Sequence, residues 1–166
     1  MVDSAYTSRA QVPAATRKAV ERGFIHRGMT VLDFGGGKYD LATKFLASKG
    51  IKNLVFDTQL TAEHNDAVIK HAKTHGVDAV TLNNVLNVVP EEIGHEILEQ
   101  ISELIGPETP ILVSVYEGDG TGIQSPTRAQ RNLKAIKYLP MLEKAFSTRE
   151  IKKSADSFYI LPEKSE

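Results

Sequence analysis

No cysteine occurs among the 166 residues. Disulfides, thiolate metal sites and cysteine nucleophiles are thereby excluded. No apolar run approaches the roughly 18 residues needed to cross a bilayer as a helix. The opening residues, Met1-Val2-Asp3-Ser4-Ala5-Tyr6, lack the basic start and apolar stretch of a secretory signal. An excess of one charge is also missing. Twenty Lys and Arg stand against 21 Asp and Glu, a net charge of −1, so global charge points to no nucleic-acid or membrane partner. The five histidines form no HExxH pattern. His71 and His75 sit four apart on an expected helix, but no third ligand accompanies them. A solvated helix face is expected there rather than a metal pair. Together these absences lead us to expect a soluble, cytoplasmic protein without a metal.

Apolar residues make up 41% of the chain, enough for one domain over residues 1–166 with a real core and no staples. Short apolar runs alternate with helical segments, the pattern of an α/β chain. Helices are expected over 13–20, 39–48, 62–75, 90–105 and, as a long basic helix bent at Pro140, over 128–146. Strands are expected over 29–34, 53–57, 77–83 and 111–116. Residues 150–153 and 157–161 read as a closing antiparallel pair. Nearly continuous apolar strands between helices indicate a mostly parallel sheet, covered on both faces and doubly wound. Such sheets bind ligands beyond the carboxyl ends of their strands. The loops after Phe34, Asp57, Asn83 and Tyr116 are therefore where function is expected.

Gly35-Gly36-Gly37 follows the first strand and opens a helix. Glycine lets a ligand approach the main chain, and the helix start presents unpaired N–H groups. The dinucleotide fingerprint G-x-G-x-x-G fails, because Asp40 stands where its third glycine belongs. A phosphate-binding Walker loop fails at Gly37-Lys38-Tyr39. Asp33, two residues before the first glycine, suits a ligand with a cationic amino-acid end. Asp57 closes the next strand, where a carboxylate can accept from both hydroxyls of a ribose. Alone, it reads equally as a cap.

These residues resemble the class I S-adenosylmethionine (SAM)-dependent methyltransferases over most of the chain. Residues 31–37 resemble that family's first motif, Asp57 its ribose-binding acid, and residues 78–89 its fourth motif. The likeness is nearest to small, mostly uncharacterised phage and bacterial methyltransferase-like proteins. It rests there on Thr7-Ser8-Arg9 with Val12-Pro13, residues 83–89 and residues 115–122. The resemblance implies a Rossmann-like fold, SAM as cofactor, and Asp33, Gly35, Gly36, Gly37, Asp57, Asn83 and Asn84 as cofactor-binding residues. The family's usual sheet has a further strand and helix where this chain has only residues 57–78. A compact variant lacking one edge strand is therefore expected.

Candidate chemistry lies in two further loops. Asn83, Asn84 and Asn87 hold the methionine end of SAM, orient an acceptor, or cap the turn. The adenine-amino methylase signature is absent, since Val85 follows Asn84. In Tyr116-Glu117-Gly118-Asp119-Gly120-Thr121-Gly122, Glu117 is a candidate general base, with Asn87 as second catalytic candidate. Tyr116 and Asp119 are candidate acceptor contacts, or the loop is a mobile lid with solvated acids. Residues 1–12 cover the cofactor, with Arg9 on a carboxylate or an anionic acceptor, or form a disordered tail. Residues 128–153 carry eight basic side chains (Arg128, Arg131, Lys134, Lys137, Lys144, Arg149, Lys152 and Lys153) against Glu143 and Glu150. They read as a solvated face or as a surface for a phosphate-bearing partner. Three functional classes follow. They are a methyltransferase for a small-molecule or nucleic-acid acceptor, a catalytically silent SAM sensor or sequestering module, and a nucleic-acid binder.

Overall fold

The computed structural model describes residues 11–124 and 129–164. The expectations for Arg9, Arg128 and most of the 1–12 segment lie outside them. Among the described residues, five α-helices and six strands follow in the order α1 (Ala14–Glu21), β1 (Thr30–Phe34), α2 (Leu41–Ser48), β2 (Lys52–Phe56), α3 (Ala62–His75), β3 (Ala79–Asn83), α4 (Glu91–Leu104), β4 (Ile111–Ser114), α5 (Leu139–Ala145), β5 (Ile151–Ser154) and β6 (Ser157–Ile160). The strands form one sheet of order β2-β1-β3-β4-β6-β5. Its first four strands are parallel and β6 and β5 are antiparallel. This is the doubly wound sheet with a closing antiparallel pair.

Side chains alternate across each strand, so β1, β3, β4 and β6 each feed two cores. Leu32, Val80, Val113 and Phe158 pack on one face against Val68 and Ala72 of α3, Leu98 and Ile101 of α4, and Leu142 of α5. Val31, Ala79, Leu112 and Tyr159 pack on the other against Ala15 and Ala19 of α1 and Leu46 of α2. β3 and β4 are buried at every position. That explains why their sequences are apolar runs rather than alternating patterns.

α3 starts and stops where its sequence says. The Thr61 hydroxyl accepts from the His64 N–H (3.2 Å), and Gly76 ends the helix at φ +75°, a conformation that costs glycine little. The long basic helix over 128–146 does not form. Among the described residues, 129–134 carry no helix, a 3-10 turn covers Ala135–Tyr138, and α5 begins at Leu139 with Pro140 in its first turn. Proline is accepted there because no i−4 carbonyl awaits its missing N–H. Pro140 therefore opens the helix instead of bending it.

Between residues 57 and 78 the chain forms α3 and no strand, which leaves β2 at the sheet edge. Lys52 and Phe56 spend their backbone groups on the β1 side (3.0 and 2.6 Å). Alternation then turns those of Asn53, Val55 and Asp57 outward. Helix α3 meets several of them with side chains. His64 Nε2–H donates to the Val55 carbonyl (2.7 Å). The Asn65 amide accepts from the Asp57 N–H (3.2 Å) and donates to the Asp57 carbonyl (2.8 Å). One asparagine thus makes the pair of contacts that a neighbouring strand would have made.

Candidate functional site

The strand order reverses between β1 and β3, which opens a crevice beyond their carboxyl ends. A cavity of about 940 Å³ occupies it, near the top of the range of about 300–1,000 Å³ for small-molecule pockets. Because β2 and β1 lie to one side and β3, β4 and β6 to the other, the cavity has two ends.

The first end is built on the glycine loop. Gly35 and Gly37 are left-handed, at φ +82° each. Gly36 is required by space. A Cβ there would lie 2.6 Å from Asp33 Oδ2 and 2.9 Å from Val55 Cγ1. Asp33 is buried beneath the loop and is not part of the cavity wall. Its carboxylate accepts from the Thr81 hydroxyl (2.9 Å) and from Asn53 Nδ2 (3.2 Å). Burial pushes the Asp33 carboxyl above its ordinary value, opposed by those two hydrogen bonds and assisted by the charge of Asp57. Asp57 does line the cavity. Its Oδ2 accepts from the Gly37 N–H (2.7 Å) and its Oδ1 from the Gln59 N–H (2.9 Å). This one carboxylate therefore fastens the loop after β1 to the loop after β2. Phe34 and Phe56, which end the two strands, stack at 4.6 Å and form the apolar floor.

The second end is built on side-chain amides. Asn83 is buried. It donates to the Thr16 hydroxyl (2.9 Å) and accepts from the Ser114 hydroxyl (2.6 Å), tying α1, β3 and β4 together. Asn84 takes a left-handed turn (φ 56°) and presents an exposed side chain to the cavity. Asn87 is buried and lines the cavity. Its Nδ2 donates to Gln130 Oε1 (2.7 Å), and Gln130 Nε2 donates to the Tyr116 carbonyl (2.6 Å). Tyr116 and Asp119 line the same end, with Asp156 from the β5–β6 turn. Asp119 Oδ1 accepts from the Thr121 N–H and hydroxyl (3.0 and 2.8 Å), and these bonds hold its carboxyl below the usual range.

Glu117 lies elsewhere. Its Oε2 accepts from the Ala135 N–H (2.6 Å), and it does not line the cavity. It anchors the segment 130–135, which the residues after Tyr116 also grip. Gly118 stands against Asn132, where a Cβ would come within 1.8 Å of Oδ1. Asn132 Nδ2 donates to the Ile123 carbonyl (2.7 Å) and Gly122 N–H to the Asn132 carbonyl (2.9 Å).

That segment is a partition. Gln130 and Asn132 line the main cavity, whereas Arg131 and Leu133 line a second cleft of about 340 Å³ shared with Glu91, His95, Lys137 and Lys144. Arg149 turns inward instead. Its guanidinium donates to the Thr109 carbonyl and to the Gly106 carbonyl (2.8 Å), and so braces the loop after α4. His71 and His75 stack at 4.6 Å on α3. Among the described residues, no group of three or more His, Asp and Glu side chains gathers for a metal. None of the described helices is long and apolar enough to cross a membrane.

Sequence reasoning did not find Asn53, Asn65, Gln130, Asn132 or Asp156. Thr81, a hydroxyl inside an apolar strand, was a readable signal that a buried polar partner stood beside it. Gln130 offered none, because its role depends on two distant partners.

No protein-family model matches the chain, and no curated protein matches its sequence. Solved structures do match in fold. A 1,6-didemethyltoxoflavin-N1-methyltransferase from Burkholderia thailandensis, solved with bound 1,6-didemethyltoxoflavin and S-adenosylhomocysteine, aligns at TM-score 0.59 and 20% identity, covering 89% of this chain and 76% of that one. A SAM-dependent methyltransferase from Aquifex aeolicus aligns at TM-score 0.58 and 14% identity, covering 87% of both chains. The [4+2]-cyclase SpnF aligns at TM-score 0.57 and 19% identity, covering 83% of this chain and 57% of that one. The chain therefore has the fold of the class I SAM-dependent methyltransferases.

Proposed function

We propose that this chain binds SAM at the glycine-loop end of the cavity and transfers its methyl group to a small-molecule acceptor at the amide end. The observation that carries the reading is the Gly37–Asp57 hydrogen bond at the switch point. It sets a carboxylate suited to ribose hydroxyls beside a loop into which no side chain fits at Gly36. Gly35, Gly36, Gly37 and Asp57 would hold the cofactor, with Asn83 and Asn84 toward its amino-acid end. Asp33 supports the loop from beneath. Bound SAM supplies an electrophilic methyl carbon on a sulfonium.

The chain's own task is placement, which accounts for much of the rate in reactions of this kind. Tyr116 and Asp119 contact the acceptor. Asn87 orients it through the amide relay. Glu117 has no proton-transfer role in this reading, because its side chain does not line the cavity. The cyclase among the neighbours shows that fold and function separate, so the test must read methyl transfer as well as binding. Calorimetry should show saturable binding of SAM and S-adenosylhomocysteine. Asp57→Ala should weaken both by about ten-fold or more, since a charge-assisted hydrogen bond contributes about 1.5–3 kcal/mol. Acceptor-dependent formation of S-adenosylhomocysteine should follow in a small-molecule screen. Failure of both ligands to bind at millimolar concentration would overturn the reading.

A further inference from the structure

The cleft behind the partition gathers positive charge, and the packing of α5 on α4 sets where that charge stands. Met141 marks the contact between the two helices. Its Sδ lies 3.3 Å from the place a Cβ on Gly94 would take. Lys137 comes four residues before Met141 and Lys144 three after it, within the helical stretch 135–145. Residues so spaced are neighbours on one helix face, with Cβ atoms about 5–6 Å apart. The two lysines therefore flank the contact, and both line the cleft with Glu91 and His95 of α4. Arg131 enters from the partition. Its guanidinium lies over the ring of Tyr138, 5.7 Å from the centroid, and Tyr138 directly follows Lys137. The Arg131 N–H donates to the Asn87 carbonyl (2.8 Å), which fixes the backbone from which this side chain reaches.

None of the three cations forms an ion pair or a side-chain hydrogen bond among the described residues. Arg131 is half-buried, yet no nitrogen of its side chain is sealed from solvent, so its donors are open to a ligand. Glu91 is the one acid of the cleft, and its Oε1 stands 3.8 Å from His95 Nε2. Three cations against one carboxylate leave an excess of two positive charges, in a chain whose net charge is −1. Gathering like charge costs free energy even near a surface, and a bound anion offsets that cost.

We infer that this cleft is a second ligand site, which takes the phosphate monoester of a small organic molecule between Arg131, Lys137 and Lys144. A phosphate monoester carries about −1.5 to −2 charges at neutral pH and three acceptor oxygens, which matches the excess charge and the number of cations. The Arg131 fork suits two of those oxygens and the ammonium groups act as point charges on the third. Leu133, Tyr138, Pro140 and Met141 give the cleft an apolar lining for the organic part. A nucleic-acid backbone fits less well, because the basic side chains of this region form no continuous track. Lys134 lies outside the cleft, Arg149 is spent on backbone carbonyls and Lys153 Nζ donates to the Ala155 carbonyl (2.6 Å). The volume of about 340 Å³ also lies within the range of about 300–1,000 Å³ for small-molecule pockets. The inference does not rest on the proposed cofactor site and stands if that reading fails.

The experiment is calorimetry on the full chain at neutral pH and low ionic strength, with phenyl phosphate, benzoate and a decathymidylate as probes. Phenyl phosphate should bind saturably and about ten-fold or more tightly than benzoate. Arg131→Gln, Lys137→Gln and Lys144→Gln should each weaken it about ten-fold, the scale of one charge-assisted hydrogen bond. Lys134→Gln and Lys152→Gln remove the same charge outside the cleft and should change it by less than about two-fold. If Arg131→Gln does not fold, the two cleft lysines decide, because their side chains are exposed. No saturable binding of phenyl phosphate at millimolar concentration, equal affinity for benzoate, or equal weakening by the variants outside the cleft would each overturn the inference. Tighter binding of decathymidylate than of phenyl phosphate, weakened alike by all five variants, would overturn it in favour of a nucleic-acid surface.

Discussion

The two ends of the cavity are built by opposite means. The glycine-loop end is backbone. Its groups come from two short stretches, residues 35–37 and 57–59, and one carboxylate joins them through main-chain N–H groups. The amide end is side chain. Asn83, Asn87, Gln130 and Asn132 come from β3, the turn after it and the segment before α5, and they meet only because the sheet brings those elements together. A backbone site tolerates few sequences but reads one kind of ligand in any chain that folds this way. A side-chain site can be rewritten one residue at a time. The cofactor should therefore be the fixed part of the function and the acceptor the part this chain specifies for itself.

Gly36→Val is the sharpest way to break the first end alone. The new side chain collides with Asp33 and Val55, and overpacking of this kind costs about 1–3 kcal/mol. SAM affinity should fall about 100-fold or more, while circular dichroism shows the sheet and helices intact. An acceptor found in the small-molecule screen should still bind at the amide end. Loss of both ligands together would show that the two ends are one unit.

Gly118→Ala is the reciprocal experiment. Its Cβ would occupy the position of Asn132 Oδ1, and its φ of +60° costs a non-glycine residue roughly 1–2 kcal/mol. Asn132 must move, the Ile123 carbonyl loses its donor, and the partition shifts. Acceptor affinity should drop about ten-fold, with SAM affinity changed by less than about two-fold, both measured by calorimetry. A larger loss of SAM than of acceptor affinity would reverse the assignment of the ends.

How much of each end could be read from sequence follows from how it is built. Consecutive glycines and a strand-terminal Asp57 announce the first end, because the chemistry and the spacing lie within one βαβ unit. The short 57–78 segment likewise announced the missing strand. At the amide end Asn83, Asn84, Asn87, Tyr116 and Asp119 were legible as candidates, but the relay joining them was not, because Asn87 and Gln130 stand 43 residues apart and nothing in either position names the other. Glu117 was legible as an acid beyond a strand, but not as the anchor of Ala135. Its partner is a backbone group, and every residue but proline offers one. The basic run over 128–146 carried helical spacing, yet side-chain bonds from Gln130 and Asn132 hold that stretch open instead.

Asn65 tests how far an asparagine can replace a strand. Removing its amide in Asn65→Ala leaves the Asp57 N–H without its acceptor and removes one of two donors from the Asp57 carbonyl. Each lost bond costs about 1 kcal/mol. SAM affinity should fall about five- to ten-fold, because the Asp57 carboxylate is no longer held against Gly37. Acceptor affinity at the other end should not change. Unaltered SAM binding would mean that α3 closes the sheet edge but does not position the acid.

The smallest effect, and the one that separates support from contact at the first end, belongs to Asp33. Burial raises its carboxyl above the ordinary value of 3.8, so the folded protein holds this proton to higher pH than the unfolded chain does. Above 3.8 the unfolded chain has already ionised. As pH climbs from there toward the raised folded value, folding loses stability on account of this group; below 3.8 it loses none. Asp33→Asn removes the titration and keeps the shape. Asn53 Oδ1 has no partner, so the new amide has an acceptor waiting once the Asn53 side chain turns over, and the Thr81 hydroxyl can rotate to suit the other atom. The variant should melt a few degrees above the parent at neutral pH, the size that about 1 kcal/mol makes in a chain of this length. The gain should shrink toward pH 4 in thermal denaturation followed across the range. SAM affinity at neutral pH should stay within about three-fold, a change under 1 kcal/mol, because the group lies under the loop and not in the cavity. A loss of SAM binding as large as that of Asp57→Ala would instead place Asp33 in contact with the cofactor.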